Sequence, residues 1–336
     1  MLTMTAHAGL HRRVTSALIA LVAALPVLCA LPVTAQDARY PAKAIRLLVG
    51  YPPGGATDIV ARTLASKLQE SLGQPVIVEN KSGATSNIAS EMLAKSAPDG
   101  YTLLLGSIAN ATNMTAYKNP GYDTLRDFAP ITQTMSAPSV LALHVSVPAK
   151  SLKELIALAK QQPGKLTFAS SGTGGSPHLA GELFKLRAGI DLLHIPYKGA
   201  PQAMGDLLGG QVSMSFQTAL SAIPHLQSGK LHVIAVASTR RMAQLPGVPT
   251  MAEAGLADFE VSSWNGLFAP AKTPPAIIVR LHEAAVKALA LPDVREKFAA
   301  QGAEAVANSP EEFRAYIRTE IDKWGKVIRA SGIPIE

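Results

Sequence analysis

Cysteine is almost missing from this 336-residue chain: Cys29 stands alone. An intramolecular disulfide is therefore excluded, and so is a cysteine metal site. Aromatic residues make up only 5% of the sequence, and the net charge of +7 is not gathered into any Lys/Arg cluster. Neither stacking platforms nor a basic stripe is available for nucleic acid, so no nucleic-acid partner is expected. Catalytic signatures are missing as well. No G-x-S-x-G elbow or H-E-x-x-H pair occurs, and His144, His178, His194, His225, His232 and His282 are scattered without ligand spacing. No metal, no cofactor and no enzymatic activity are expected.

The stretch "HRRVTSALIALVAALPVLCALPVTAQ" has a basic start at Arg12 and Arg13, an apolar run from Ala17 to Leu31, and small residues ahead of Gln36. This is the pattern of a cleavable signal peptide over residues 1–35, cut after Ala35. Pro26 breaks the run, which falls short of the roughly 20 residues that span a bilayer. Leu28 stands before Cys29, where a lipoprotein signal needs a small residue. Cys29 thus leaves with the signal. Arg12 and Arg13 contribute two of the seven positive charges and residues 1–35 carry no acid, so +5 remains. That excess serves solubility and mild steering of anions.

The remaining chain alternates. "AIRLLVG", "PVIVEN" and "YTLLLGS" read as strands. Between the first two, Val60, Leu64, Leu68 and Leu72 make one apolar helical stripe that Gly73 ends. "NIASEMLAKSA" reads as a second helix. After a proline-marked extended stretch, Ile131–His144, the alternation resumes. Ser151 caps a helix with Glu154 as its box partner; strands "KLTFASS", "LLHIP", "QVSMSF" and "LHVIAVAS" follow, separated by helices. A second extended stretch, Phe259–Phe268, precedes a helical end capped at Ser309, with Phe313, Ile317, Ile321, Trp324 and Ile328 on one face. Strands separated by helices of this length make mainly parallel sheets. The fold class expected is α/β, with two Rossmann-like lobes joined by two crossover strands. Lobe 1 comprises residues 36–135 plus 259–336, and lobe 2 comprises 136–258. Such a pair opens and closes about a hinge.

Two glycine-rich corners, "VGYPPGGATDIVAR" and "TFASSGTGGSPHLAGELF", share one grammar of strand, corner and helix. Ligands of open α/β sheets sit at the carboxyl ends of the strands. There the free N–H groups and dipole of a helix N-terminus favour an anion. Glycine lets the backbone come close to the ligand. One corner per lobe would grip a small carboxylate from two sides without arginine. Neither corner has the spacing of a dinucleotide or P-loop motif; Pro177 stands where a third glycine would be. Asp58 either binds a ligand amine or stabilises its own helix end. His178 either contacts local backbone or catalyses. Lys198 is either exposed or meets a carboxylate, and Trp264 either packs at the hinge or walls the ligand.

Together with "NKSGATSNIASEMLAKSAPDGYTLLLGS", "HIPYKGAPQAMGDLLGGQVSMSF", "LPGVPTMAEAGL" and "SSWNGLFAP", these segments resemble, in order, the signatures of the Bug-type (TctC-like) receptors of the tripartite tricarboxylate transporter family. The resemblance covers essentially the whole chain after residue 35. It implies a periplasmic solute-binding protein of the two-lobed type II fold, monomeric, which closes on a small organic acid or amino acid. Its implied partners are that ligand and the membrane permease subunits of such a transporter. Carried over by position, the ligand residues are Tyr51, Gly54, Gly55, Thr57 and Asp58 on one wall. Ser171, Gly172, Thr173, Gly174 and Gly175 form the other, with His178 behind and Ser107 facing the ligand's second end. Two departures bear on that second end. "ATSN" follows Gly83 where the family has more glycine, and Gln217 replaces an acid. Two rival functions stay open: a secreted hydrolase with Ser171 or Ser176 as nucleophile, and the ligand-sensing module of a signalling system.

Overall fold

The apolar run Ile45–Val49 forms β1, buried except at Arg46. The computed structural model describes residues 40–197, 199–226, 228–300 and 302–333. Residues 1–35, expected to be a signal peptide, and Lys198 lie outside them. Helix α1 (Ala56–Leu72) buries the stripe Val60, Leu64, Leu68 and Leu72, and Gly73 closes it at φ 72°. Strand β2 (Val76–Asn80), helix α2 (Asn87–Ala94), strand β3 (Thr102–Ser107) and the short helices α3 (Ala109–Ala116) and α4 (Thr124–Asp127) follow. The first extended stretch is a single 17-residue strand, β4 (Phe128–His144).

The second half of the alternation begins with α5 (Leu152–Gln161), whose Ser151 cap accepts the Glu154 N–H. The Glu154 carboxylate reaches past the cap to the Lys150 N–H, one residue beyond the expected box. Then come β5 (Thr167–Ser170), α6 (Ser176–Ala188), β6 (Leu193–Pro196), α7 (Ala200–Leu208), β7 (Met214–Thr218), α8 (Ala219–Leu226) and β8 (Leu231–Val236). The second extended stretch is β9 (Ser262–Pro270). Helices α9 (Pro275–Ala290) and α10 (Pro292–Ala299), the two-residue β10 (Glu304–Ala305) and α11 (Pro310–Ala330) complete the chain. Ser309 and Glu312 form a reciprocal capping box on α11.

The sheet runs β2-β1-β3-β9-β4-β7-β5-β6, with β8 and β10 also paired to β4. β2, β1 and β3 are mutually parallel, as are β7, β5 and β6, whereas β9 and β4 are joined by antiparallel ladders. The register brings the two parallel sets head to head. β3 ends at Ser107 opposite Asn265 of β9, which lies opposite Met135 of β4. β7 ends at Thr218, opposite Ser139 of β4. The carboxyl ends of both sets therefore stop at Met135 and Ser139, about 13 Å apart along one strand.

β4 changes partners at this point. It pairs with β9 through Pro138 and with β7 from Ser139 onward. Three main-chain bonds tie the crossing together: Ser139 N–H to Val261 O, Ala237 N–H to Ser139 O, and Val261 N–H to Ala237 O. Beside it, α11 buries Phe313, Ile317, Trp324 and Ile328, and Ile321 is half-buried. Trp264 of β9 packs edge-on against Phe313 and Tyr316. Its indole N–H and that of Trp324 both donate to the buried Glu320 carboxylate, at 3.0 and 2.9 Å. Trp264, 1% exposed, thus packs at the crossing, the first of its two expected roles.

Candidate functional site

Both corners fold in the same way. Gly54 and Gly174 take left-handed backbone at φ 82° and 76°. The residues after them, Gly55 and Gly175, are N-caps in extended conformation, with φ/ψ of −76°/167° and −74°/164°. Neither cap carries a side chain, so the first-turn N–H groups have neither an intrahelical nor a capping partner. In each corner the left-handed glycine donates its N–H to the side chain four residues on. Gly54 donates to Asp58 Oδ2 at 2.9 Å, and Gly174 to His178 Nδ1 at 3.0 Å. The amides of Gly54 and Gly174, expected to reach a ligand, are thereby engaged inside their own loops. The remaining donors are those of the first helical turn, together with the hydroxyls of Thr57 and Ser176.

The clamps differ in charge. Asp58 is 2% exposed. It also accepts Arg62 Nε at 2.9 Å and Asn80 Nδ2 at 2.9 Å, and Asn80 donates further to the Tyr51 carbonyl. Burial pushes the carboxyl up, but the bonds from Arg62, Gly54 and Asn80 outweigh it and hold it at about 2. Asp58 thus holds its own corner at the head of α1. Tyr51 Oη lies 2.9 Å from Ser107 Oγ, which also accepts the Ala109 N–H. Tyr51 and Ser107 are thus joined at the end of β3.

In the second corner His178 is 4% exposed and its ring stacks on that of His194 at 3.9 Å between centroids. His194 Nε2 meets Ser170 Oγ at 2.7 Å, and Ser170 Oγ bonds in turn to the Gly172 carbonyl and N–H. Burial, then the neighbouring His194 and Lys185, depress His178 to about 3; burial, then Lys185, depress His194 to about 4. Both rings are neutral. His178 contacts local backbone through the Gly174 N–H. Ser176 Oγ is buried and without a hydrogen-bond partner at the head of α6. Gln217 is likewise turned inward, donating to Ser215 Oγ and accepting from Ser221 Oγ.

The glycine-poor segment after Gly83 keeps glycine-like geometry. Ala84, Thr85 and Ser86 have φ of 44°, 49° and 71°, each a conformation that costs an L-residue roughly 1–2 kcal/mol. Asn113 secures the turn by donating to Thr85 O and Asn87 Oδ1.

Four residues of the site escaped the sequence reading: Arg62, Asn80, His194 and Asn265. Arg62 was accessible, since Asp58 and Arg62 stand at i,i+4 on one helix face. Asn265, next to Trp264 on β9, points to the other side by strand alternation. It donates to the Gly106 carbonyl at 3.0 Å and to Thr57 Oγ1 at 3.4 Å. Among the described residues, no group of three or more His, Asp or Glu side chains is placed to hold a metal. No described helix is long and apolar enough to cross a membrane.

Comparison with known proteins agrees with this architecture. BugT of Bordetella pertussis is 42% identical over 309 residues, covering 91% of this chain and 94% of its own length. The structure of Rpa4515 from R. palustris with adipate superposes with a TM-score of 0.80 at 34% identity, covering 88% of this chain and 99% of that one. MatC from Rhodopseudomonas palustris with bound malate gives a TM-score of 0.77 at 30% identity, covering 86% and 100%. The family model described as tripartite tricarboxylate transporter family receptor, TctC, matches residues 60–333. The chain has the two-lobed α/β fold of the periplasmic binding proteins of this type and belongs to the TctC family of tripartite tricarboxylate transporter receptors.

Proposed function

We propose that this protein is a periplasmic receptor that captures a small carboxylated metabolite, an organic acid or amino acid, between two lobes. Lobe 1 is residues 36–135 plus 259–336, and lobe 2 is 136–258. The observation that carries this is the head-to-head arrangement of the two parallel strand sets over Met135–Ser139. Each set ends in a Gly-Gly corner that presents uncapped helix N–H groups. An anion is what such amides bind. The change of strand partner between Pro138 and Ser139 supports the lobe boundary. Rpa4515 with adipate and MatC with malate supply the chemical precedent. The contact residues on one wall are Tyr51, Gly55, Thr57 and Ser107, with Asp58 holding Gly54 in place. On the other they are Ser171, Gly172, Thr173 and Gly175, with Gly174 held by His178. The receptor works as a monomer after loss of residues 1–35 and delivers its cargo to the permease subunits of a tripartite transporter, the assembly named by its family.

The geometry disfavours the hydrolase. Ser171 and Ser176 make no hydrogen bond to a histidine among the described residues, and His178 Nδ1 is taken by Gly174. The one Ser–His contact of the corner, Ser170 to His194, is buried at the serine and engages the corner's own backbone. The test is a thermal-shift screen of mono-, di- and tricarboxylates and amino acids. One chemical group should raise the melting temperature saturably, by the equivalent of about 2.7 kcal/mol at a hundredfold excess over Kd. Indifference to the whole panel, or turnover of an ester or amide, would overturn the receptor reading.

A further inference from the structure

We infer that Asn265 is a positioning residue for capture: it fixes the direction of the Thr57 hydroxyl and couples the first corner to the crossing strand β9. This rests on the carboxylate-receptor function proposed above.

Asn265 lies where β3, β9 and β4 meet, opposite Ser107 on one side and Met135 on the other, and it is 4% exposed. Its side-chain orientation is fixed by chemistry. Only the amide nitrogen can serve the Gly106 carbonyl, 3.0 Å away, so Nδ2 is the atom on that side. The same Nδ2 lies 3.4 Å from Thr57 Oγ1. An amide nitrogen donates only, so Thr57 Oγ accepts there. Its own proton is left to point elsewhere.

Thr57 is the second residue of α1, among the uncapped N–H groups of that helix. Its hydroxyl proton joins those N–H groups, and the first wall becomes a set of donors. A carboxylate needs such a set, and one acceptor turned toward it would repel it. The second consequence is mechanical. Thr57 belongs to the corner after β1, and Asn265 belongs to a strand of the crossing. One carboxamide therefore ties a ligand-side hydroxyl to the element about which the lobes would turn, across 208 residues of sequence.

The experiment is a double-mutant cycle in affinity. Wild type, Thr57→Ala, Asn265→Ala and the double variant are titrated calorimetrically with whichever of adipate, malate or the other screened carboxylates binds the wild type most tightly. Each single variant should lose roughly tenfold in affinity, the worth of one hydrogen bond to an ionised group. The double variant should lose little more than either single one, because both remove the same directed hydroxyl. Losses that multiply to about a hundredfold would overturn the coupling, and so would an unchanged Kd for Asn265→Ala. Asn265→Asp is the second variant, retained in case alanine at this buried position does not fold. Its carboxylate must accept from Thr57, turning that proton away and adding a like charge, so it should bind more weakly than wild type by well over tenfold. Wild-type affinity in Asn265→Asp would also sink the inference. A purely structural Asn265 would lower the melting temperature and leave Kd alone. If the wild type binds no carboxylate at all, the proposed function falls first and this inference with it.

Discussion

Asp58 and His178 perform one task with opposite electrostatics. Each fixes a left-handed glycine by accepting its N–H from four residues on. Asp58 does so as an anion among Arg62 and Asn80, and His178 as a neutral ring stacked on His194. Their acid responses should therefore differ. A histidine has an ordinary value near 6.5, and the folded pair sits at about 3 and about 4. Between those limits the unfolded chain binds protons that the folded chain refuses, so stability falls as pH drops below about 6.5. Asp58 moves from 3.8 to about 2, so its contribution is lost only below about 3.8. The groups facing His178 are His194, Lys185 and the Glu182 carboxylate, 3.9 Å from Nε2. Burial raises Glu182 against the pull of Lys185, so its own titration adds stability as pH falls and opposes the two histidines over part of the range. Melting temperature should decline from pH 6.5 to 4, with faster amide exchange at Ser171–Gly175 ahead of Tyr51–Gly55. His178→Gln keeps an acceptor for Gly174 and cannot titrate; it should make the decline shallower, and an unaltered slope would show that the pair is not its source. Asp58→Ala, which strands three donors, should cost about 2 kcal/mol in denaturant melts at neutral pH.

The two glycines of each corner are required for different reasons, and this separates fold from function at the level of the element. Gly54 has φ 82°, so a side chain there is strained although nothing lies within 4 Å of its would-be Cβ. Gly55 is extended, and its would-be Cβ meets only the Pro52 carbonyl at 3.6 Å. Any residue adopts that conformation, and serine is a better N-cap than glycine by a few tenths of a kcal/mol. The fold gives no reason for glycine at 55; the proposed function does, through a ligand that approaches the backbone. Gly55→Ser should thus leave stability equal or slightly higher and weaken carboxylate binding sharply. Gly54→Ser should lose about 1 kcal/mol or more of stability. Paired melts and titrations check both, and tight binding by Gly55→Ser would mean the pocket lies elsewhere. The elements themselves were legible because their signals are local. The four-residue stripe of α1 and the caps at Ser151 and Ser309 recur where the sequence placed them, and the two extended stretches recur with their starts shifted by three residues, to Phe128 and Ser262. The long-range supports of the corners were not legible. Asn80 reaches Asp58 over 22 residues and Asn265 reaches Thr57 over 208, distances at which no periodicity connects donor to acceptor.

For the molecule as a whole, capture depends on what the crossing permits. Strands β4 and β9 run through it, and the bonds among Ser139, Ala237 and Val261 hold their relative register. On the β9 side, Trp264 is tied through Glu320 to Trp324 of α11, so that end of the crossing is anchored in a packed helix. In the proposed function, motion about it carries the β7-β5-β6 set, with its corner, toward the β2-β1-β3 set. On that proposal, a carboxylate touching both corners gains its second set of amides only on closure, and this differential affinity shifts the population. A ligand touching one corner would bind without moving anything. A chain of about 300 residues packed as one body has a radius of gyration near 19 Å. In small-angle scattering the unliganded protein should exceed that value and contract toward it on saturation with the bound carboxylate. Gly55→Ser, crowded at one corner, should fail to contract at the same ligand concentration. Saturable binding with no contraction would leave a carboxylate site on one lobe and no clamp between two.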